Sequence, residues 1–387
     1  MDCPNCSSPH PDAARFCARC GTPLPAGLDR ARHFAAMPDE PVRALALMST
    51  LMPHLSAGRQ HSYRNAVMLG LLAALIAAAF GVLSIALVLA AVALPAVVLT
   101  YIHDHNVWRD QPFTLVGLGF LLSLALGVGA GLVQQYFAER ALLTAPSRQL
   151  PSVALIVELG VLVPLVAFLA VLVAPMLVTA GRAFCHPIDA LVTSSLSGAA
   201  LSLGMSIAIQ HDAFTRIEAT ATDPAHTAFI ALTLGFLQPI IFATAAAVTV
   251  VRVRSAGGAP LIGAVQGLSL VLVYELATTL LAPYGARGIV CTTVVALVLA
   301  AAGVVASRDA LHRGLLLEAQ AALDGPGSLV HPADSGQVCA HCGAAMVSGA
   351  AFCQACGSAS AALARYGALI STSATSDRPP NPTHTSE

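Results

Sequence analysis

Eight of the ten cysteines in this 387-residue chain fall into two blocks that share the spacing CxxC, ten residues, CxxC. The ligand candidates are Cys3, Cys6, Cys17 and Cys20 in the first block, and Cys339, Cys342, Cys353 and Cys356 in the second. Each CxxC places two thiolates at a tight turn, and two such turns supply the four ligands of a tetrahedral zinc ion. The spacing predicts two structural Zn²⁺ ions, because four cysteines leave no coordination position open for catalysis.

The two blocks are internal copies of one zinc-ribbon pattern. Phe16 and Phe352 each precede the third cysteine of their block, and we interpret them as a small apolar plug beneath the metal. A glycine follows Cys20, Cys342 and Cys356, at a point where the backbone of such turns often needs a positive φ. His341, inside the second block, is interpreted as a solvated loop residue rather than a fifth ligand.

The elements between the two blocks have the composition of a polytopic membrane protein. Apolar residues make up 56% of the chain and charged residues 10%, with a mean hydropathy of +0.75. An ordinary soluble domain is about 25% charged. The net charge is −1 and the chain contains no lysine, so no basic surface favours nucleic acid as a partner. The lipid bilayer is the expected environment, in an all-α bundle of about eight transmembrane helices.

Proline, glycine and charge clusters divide the chain into segments. The predicted segments are a zinc ribbon at 1–24, a linker at 25–64, a transmembrane domain at 65–306, a cytosolic helix and linker at 307–335, a second ribbon at 336–358 and a disordered tail at 359–387. The predicted spans are 65–83, 85–102, 113–137, 151–180, 189–210, 226–251, 260–283 and 288–306. Residues 65–102 carry no charge, and whether they form one span or two stays open. The linker fits either an amphipathic helix on the membrane face or a plain cytosolic helix.

The loop arginines and the cysteines both favour an even number of spans. With eight spans and both termini inside, eight loop arginines lie on the inner side and four on the outer side. Thiols stay reduced and bind metal in the cytosol, whereas an odd count would place one ribbon in an oxidising space. We therefore predict a multi-pass protein of the bacterial cell (inner) membrane with both termini cytoplasmic.

A few ionisable residues interrupt the apolar spans. Glu158 and Glu275 fall about 10–12 Å below the outer surface at 1.5 Å per residue, and His226, Gln134 and His211 fall near the same level. Two carboxylates and an imidazole are the groups needed to activate a water or relay a proton. The alternative is that both acids are protonated and hydrogen-bonded between helices, because a charged acid costs several kcal/mol in a bilayer, roughly 2.5–3.5 at mid-helix.

Several stretches, in chain order, resemble the PrsW-type intramembrane proteases. LIVELGVLVPL stands where that family carries a Glu-Glu pair and then a lysine, DALVTSSLSGAALSLGMSIAIQ resembles its Gly-rich span, and AHTAFIALTLGF resembles its histidine-led span. The resemblance covers about residues 85–280. It implies a bundle of membrane helices in which Glu158 matches one acid of the pair and His226 the first histidine. An active member would be a metallo- or glutamic-type endopeptidase.

The sequence departs from the family pattern where the other catalytic groups are expected. Val157 or Leu159 replaces the second acid, no lysine follows, and Gly263 replaces the second histidine. We therefore predict a non-catalytic pseudoprotease, a PrsW-like scaffold whose ribbons bind or regulate a protein partner. An active protease using Glu158 and His226 is the first alternative to this non-enzymatic role. A proton-coupled transporter is the second alternative.

Overall fold

The computed structural model describes residues 2–10, 14, 16–22, 24, 45, 47–52, 57–105, 113–144, 152–180, 187–211, 223–255, 259–324, 346–347, 349–354 and 357. The chain divides into two compact units. One, here the terminal unit, combines Met1–Ala31 with Glu318–Glu387, and the other, here the helical unit, is Arg32–Leu317. The predicted disordered tail at 359–387 lies outside the described residues.

The helical unit is built mainly of long helices in the order that the sequence predicts, and the last helix continues past Leu317 to Asp324. They are α1 (Leu47–Leu51), α2 (Ala57–Ala79), α3 (Leu83–His105), α4 (Phe113–Thr144), α5 (Val153–Val157), α6 (Val163–Val178), α7 (Pro187–Ile209), α8 (Pro224–Leu232), α9 (Gln238–Arg254), α10 (Pro260–Leu281) and α11 (Gly285–Asp324). A π-helical turn, Glu158–Leu162, joins α5 to α6, and a second, Thr233–Leu237, joins α8 to α9. Each π turn comes just before a proline, Pro164 or Pro239, whose ring would clash with the carbonyl four residues earlier in a regular α-helix.

Seven helical stretches among the described residues are long and apolar enough to cross a membrane. They are His61–Ala79, Leu83–His103, Thr114–Arg140, Val153–Val178, Pro187–Ile209, Pro224–Arg254 and Pro260–Leu315. Apolar side chains on the outer faces are widely exposed, as at Leu118 (61%) and Leu261 (75%). Such a surface suits lipid rather than water, so these stretches indicate a membrane protein.

The uncharged stretch 65–102 forms two helices. α2 ends at a glycine turn in which Gly81 has φ +74° and donates its N–H to the carbonyl of Ala78 at 2.9 Å. Val82 donates to Ala77 at 3.1 Å, which completes the hydrogen-bond pair of a Schellman motif. α2 and α3, which this turn joins, pack closely, because a Cβ placed on Gly70 of α2 would lie 2.8 Å from the Cβ of Ala93 of α3.

The last and longest apolar stretch, Pro260–Leu315, is bent into a hairpin. α10 runs back along α9, with Gly263 against Arg252, and α11 then reverses direction. Thr293 near the start of α11 lies 2.7 Å from Thr233, hydroxyl to hydroxyl, whereas Asp309 further along α11 pairs with Arg252 at 3.7 Å. The two ends of this stretch therefore reach the same end of α9, with a 3₁₀ turn at the opposite end.

α7 and α9 form the centre of the helical unit, and nearly all their residues are buried. Small residues allow close approach of the helix backbones: Gly198 contacts the backbone of Ala243, and Gly204 contacts the carbonyl of Leu124. The hydroxyl of Ser197 donates to the carbonyl of Val171 at 2.8 Å, which ties α7 to α6. The predicted Gly-rich span is thus the central packing helix.

Arginines that the sequence predicts on the inner side gather at one end of the helical unit. Arg254 donates to the hydroxyl of Thr179 at 3.0 Å and to the carbonyl of Met176 at 3.0 Å, at the end of α6. Arg308 donates to the hydroxyl of Ser49 of α1 at 2.9 Å. Leu51 of α1 is 1% exposed, so this short part of the predicted linker packs into the bundle.

Candidate functional site

The first CxxC of the amino-terminal block folds into a tight knuckle. The N–H of Ser7 donates to the carbonyl of Cys3 at 2.9 Å, and the N–H of Cys3 donates to the carbonyl of Ser8 at 3.0 Å. Ser7 takes the positive φ of 55° that the turn requires, and Asp2 and Pro9 close it as a β-bridge. The knuckle directs both of its sulfur atoms toward the same side.

The second CxxC repeats this hydrogen-bond pattern. The N–H of Gly21 donates to the carbonyl of Cys17 at 2.9 Å, and the N–H of Cys17 donates to the carbonyl of Thr22 at 2.9 Å. The predicted positive φ is found at Gly21, at 71°. The N–H groups of Arg19 and Cys20 lie 3.4 and 3.3 Å from the Cys17 sulfur, where they stabilise negative charge on it.

The two knuckles bring all four sulfur atoms within 4.8 Å of one another. The Sγ atoms of Cys3 and Cys20 are 3.6 Å apart, and those of Cys6 and Cys17 are 3.5 Å apart. Zn–S bonds of about 2.3 Å in a tetrahedron require sulfur atoms about 3.8 Å apart, so the donor set fits zinc. The four cysteines of the predicted metal site are thus brought together as the sequence indicates.

The thiols differ in acidity when no metal is bound. Burial pushes the pKa of the Cys6 thiol upward, but hydrogen bonds with Ser8 and the neighbouring thiols outweigh it and lower that pKa to about 6. Burial raises the pKa of the Cys20 thiol to about 12. The crowded sulfur atoms thus favour a thiolate at Cys6 and disfavour a second one at Cys20. A bound cation of charge +2 would stabilise negative charge on both sulfur atoms and so allow both thiols to lose their protons.

His10 contacts the metal site and was not identified from the sequence. Its Nε2 lies 3.1 Å from the Cys17 sulfur and 2.9 Å from the hydroxyl of Ser8, and the side chain is 6% exposed. Burial lowers the pKa of His10, which favours the neutral imidazole. With its proton on Nε2, the ring donates a hydrogen bond to the thiolate and orients it for the metal. The sequence signal was a histidine four residues after Cys6, absent from the second block.

The described part of the second block repeats the knuckle of Cys17. The N–H of Gly357 donates to the carbonyl of Cys353 at 2.8 Å, and Gly357 has φ +76°. Cys353 is 1% exposed. The other predicted residues of this block, Cys339, Cys342, Cys356 and His341, lie outside the described residues.

Glu275 is the most deeply buried of the predicted acids. It lies on α10 and is 3% exposed, with its carboxylate 3.4 Å from the side-chain nitrogen of Gln134 on α4 and 3.4 Å from the hydroxyl of Thr278. The preceding residue is Tyr274, whose hydroxyl lies 3.5 Å from the side-chain oxygen of Gln238. The structure thus joins Glu275 to Gln134, the pair that the sequence placed at a common depth.

Glu158 begins the first π turn and is half-buried. Two residues further on, Gly160 packs so closely on α10 that a Cβ there would lie 2.9 Å from the Cδ1 of Leu276. Glu158 therefore lies on a segment that contacts the helix of Glu275. In the described part of the chain, no hydrogen bond joins the two carboxylates.

His226 lies in the first turn of α8, which Asp223 caps by accepting a hydrogen bond from the N–H of Ala225 at 3.1 Å. α8 packs its Ala231 against Ala78 of α2 and the adjoining part of α3. The π turn of Glu158 packs instead against α10 and α4. Among the residues described, His226 makes no hydrogen bond to either glutamate.

Comparison with known proteins agrees with the metal site. Residues 3–24 match the family model of the zinc-ribbon domain. No curated protein and no solved structure matches the chain. The match includes all four cysteines of the first block. The chain therefore combines a zinc ribbon at residues 3–24 with membrane-length apolar helices further along the sequence.

Proposed function

We propose that this chain is a multi-pass protein of the bacterial cell membrane whose two zinc ribbons form a non-catalytic device for binding or regulating a protein partner. Each ribbon holds one structural Zn²⁺, and the helical unit serves as a PrsW-like scaffold and membrane anchor. The observation that carries this proposal is the contrast between the two candidate sites. Four thiols converge in the first ribbon, whereas the three candidate catalytic groups lie on segments that are not joined by hydrogen bonds in the described structure.

The proposal of a second ribbon is supported by the repeated knuckle. Cys353 and Gly357 form the same hydrogen bond as Cys17 and Gly21, at the same positions of the repeat. Purified protein is expected to contain two zinc ions per chain. Replacing Cys17 and Cys20 by serine removes one of them, and replacing Cys353 and Cys356 removes the other. A content of one zinc ion in the unaltered chain would overturn the second site.

The partner-binding role has its own test. Chains carrying Cys17→Ser with Cys20→Ser are expected to insert into the membrane normally, since the helical unit is a separate compact unit. They should lose co-purification of the partner from a crosslinked membrane extract. The exposed Arg19→Ala variant serves as the control, because its side chain is not a ligand. Unchanged co-purification in the cysteine variants would contradict this role.

An even number of crossings is supported by the bent stretch Pro260–Leu315. Because this stretch is bent into a hairpin, it counts as two crossings rather than one. The seven membrane-length stretches then give eight crossings. Both ends of the helical unit then lie on the side that carries Arg252, Arg254 and Arg308, as the positive-inside rule favours for the cytoplasm. This arrangement keeps both ribbons in a reducing compartment.

An active intramembrane protease remains the second candidate. The placement of Glu158 favours it, since π turns occur often at functional sites and this one contacts the helix of Glu275. The test is cleavage of membrane-spanning reporters in vesicles, comparing the unaltered chain with Glu158→Gln and His226→Ala. If the unaltered chain cleaves the reporters and both variants do not, the scaffold proposal is replaced by a protease. If the unaltered chain cleaves none of them, the scaffold proposal is supported.

A further inference from the structure

We propose that the partner surface of the first ribbon is occupied by the second cysteine block of the same chain, so that the two blocks form one pseudo-symmetric module. This inference rests on the proposed second ribbon and names the binding partner of the first. Both blocks belong to the terminal unit, although they stand near opposite ends of the sequence. Four reciprocal contacts of described residues carry the inference.

The first two contacts are main-chain hydrogen bonds. The N–H of Phe16 donates to the carbonyl of Gln354 at 3.1 Å, and the N–H of Phe352 donates to the carbonyl of Ala18 at 2.9 Å. Phe16 and Phe352 occupy the same position of the repeat, and so do Ala18 and Gln354. Exchanging the two blocks therefore converts one hydrogen bond into the other, which is the property of an interface with two-fold symmetry.

The other two contacts are made by the phenylalanine rings. A Cβ on Gly21 would lie 3.0 Å from the Cδ1 of Phe352, and a Cβ on Gly357 would lie 2.8 Å from the Cδ1 of Phe16. Each ring thus covers the glycine that ends the knuckle of the other block. The sequence had suggested that each phenylalanine fills the space beneath its own metal. The rings instead pack across the interface, where they are 3% and 7% exposed.

The pairing provides hydrogen-bond partners for main-chain groups, and covers an aromatic ring, that a separate ribbon would leave exposed. Apart from its partner, each block would expose an aromatic ring together with an unpaired N–H and C=O on its edge, a surface prone to non-specific pairing. Both blocks are tethered to one helical unit, so the second block is present at a high effective concentration around the first. The matching repeat positions and the tether favour pairing within one chain over pairing between copies.

The paired module joins a cysteine block near the amino-terminal end of the chain to one near the carboxy-terminal end. The hydrogen bonds of Phe16 with Gln354 and of Phe352 with Ala18 hold the two blocks together, which requires both blocks on one side of the membrane. A protein partner would then bind the outer surface of the paired module. The surface of each block that carries Phe16 or Phe352 is already covered by the other block.

The test uses the full-length chain with a protease recognition site inserted in the linker 25–44. After cleavage in purified membranes, the amino-terminal fragment is expected to stay with the membrane fraction. The variant Phe352→Ala should release the fragment, although it leaves the sequence of the first ribbon unchanged. The exposed Arg19→Ala serves as the control and should retain it. Release from the unaltered chain, or retention by Phe352→Ala, would overturn the pairing.

Two further measurements separate this inference from the zinc proposal. A released fragment that still holds one zinc ion shows lost pairing with a folded ribbon, whereas a fragment without zinc contradicts the ribbon itself. Co-expression of two chains with different tags distinguishes pairing within a chain from exchange between chains. Recovery of a cleaved fragment on the other tagged chain would contradict pairing within one chain, and recovery on its own chain would support it.

Discussion

The N–H of Phe352 donates a 2.9 Å hydrogen bond to the carbonyl of Ala18, although the two residues stand near opposite ends of the chain. This bond and its reciprocal between Phe16 and Gln354 place the two cysteine blocks side by side. In its described residues, the terminal unit thus combines a metal site formed by local sequence with an interface formed by residues distant in sequence.

Substitution of Gly21 by alanine tests the interface and the knuckle together. Gly21 has φ +71°, and a left-handed conformation costs an L-residue about 1–2 kcal/mol. The added Cβ would also crowd the ring of Phe352 at 3.0 Å. We expect a loss of roughly tenfold or more in zinc affinity, measured by chelator competition. Gly349→Ala is the matched control, since Gly349 also has a positive φ (+74°) but lies outside both CxxC knuckles of its block. Equal losses in both variants would show that backbone strain alone matters.

Replacement of His10 tests its role as a residue that positions Cys17. Loss of a hydrogen bond to a metal ligand typically weakens metal affinity about 10–100-fold. We expect His10→Ala to lower the zinc affinity of the first ribbon by that amount. Rescue by His10→Asn, which keeps a donor, would support a positioning role. Met346 takes the same position in the second block, so Met346→Ala is the control and should leave the zinc affinity of the first ribbon unchanged. Unaltered affinity in His10→Ala would contradict the role.

Zinc binding to the first ribbon is expected to strengthen as pH rises. In the metal-free ribbon, the pKa of Cys20 is raised to about 12, so this thiol is protonated at pH 7 and must release its proton to bind zinc. Each released proton raises the apparent affinity about tenfold per pH unit. The pKa of Cys6 is lowered to about 6, so this thiol adds to the dependence only below that pH. Titration with a chromophoric chelator between pH 5 and 9 measures the slope, and a pH-independent affinity would contradict it.

Glu275 is expected to tolerate replacement by glutamine. A neutral side chain of the same shape keeps the contacts with Gln134 and Thr278, so we expect the free energy of unfolding to change by less than about 1 kcal/mol. Gln134→Leu removes one partner inside the bundle and should cost about 1–3 kcal/mol. Thermal unfolding in detergent compares the two. A proton-flux assay on the unaltered chain and on Glu275→Gln tests the transporter alternative. A proton flux that the unaltered chain shows and the variant loses would support that alternative.

The turns of the helical unit allow a direct test of topology. With eight crossings, protease sites inserted after Phe80 and after Tyr284 lie outside, whereas one inserted after Ser255 lies inside with both ribbons. Phe80 and Tyr284 are 80% and 59% exposed, so insertion there disturbs little packing. Protease added to right-side-out cells should cut the first two sites only. Cleavage after Phe80 and after Ser255 from the same side would contradict the arrangement.

The helices were predictable because apolar runs of membrane length need no tertiary information. Glycine turns and prolines also mark most helix ends locally, as at Gly81. The sequence boundaries differ from the observed ones by only a few residues for most helices. The π turns before Pro164 and Pro239 are not predictable from the apolar pattern, because both spans are apolar on nearly every face. The extra residue of a π turn therefore shifts no one-sided apolar stripe that the sequence could show.

The sequence by itself determined the zinc site, since four cysteines at CxxC spacing dictate a donor set whatever the rest of the chain does. Tertiary structure decided which groups meet across distance. It brought Glu275 to Gln134 but left His226 on a helix that packs elsewhere, because the rotation of a span about its axis is set by packing against its neighbours. It also directed Phe16 and Phe352 across to the opposite blocks. Spacing along one chain carries no information about such a contact, which depends on two surfaces fitting each other.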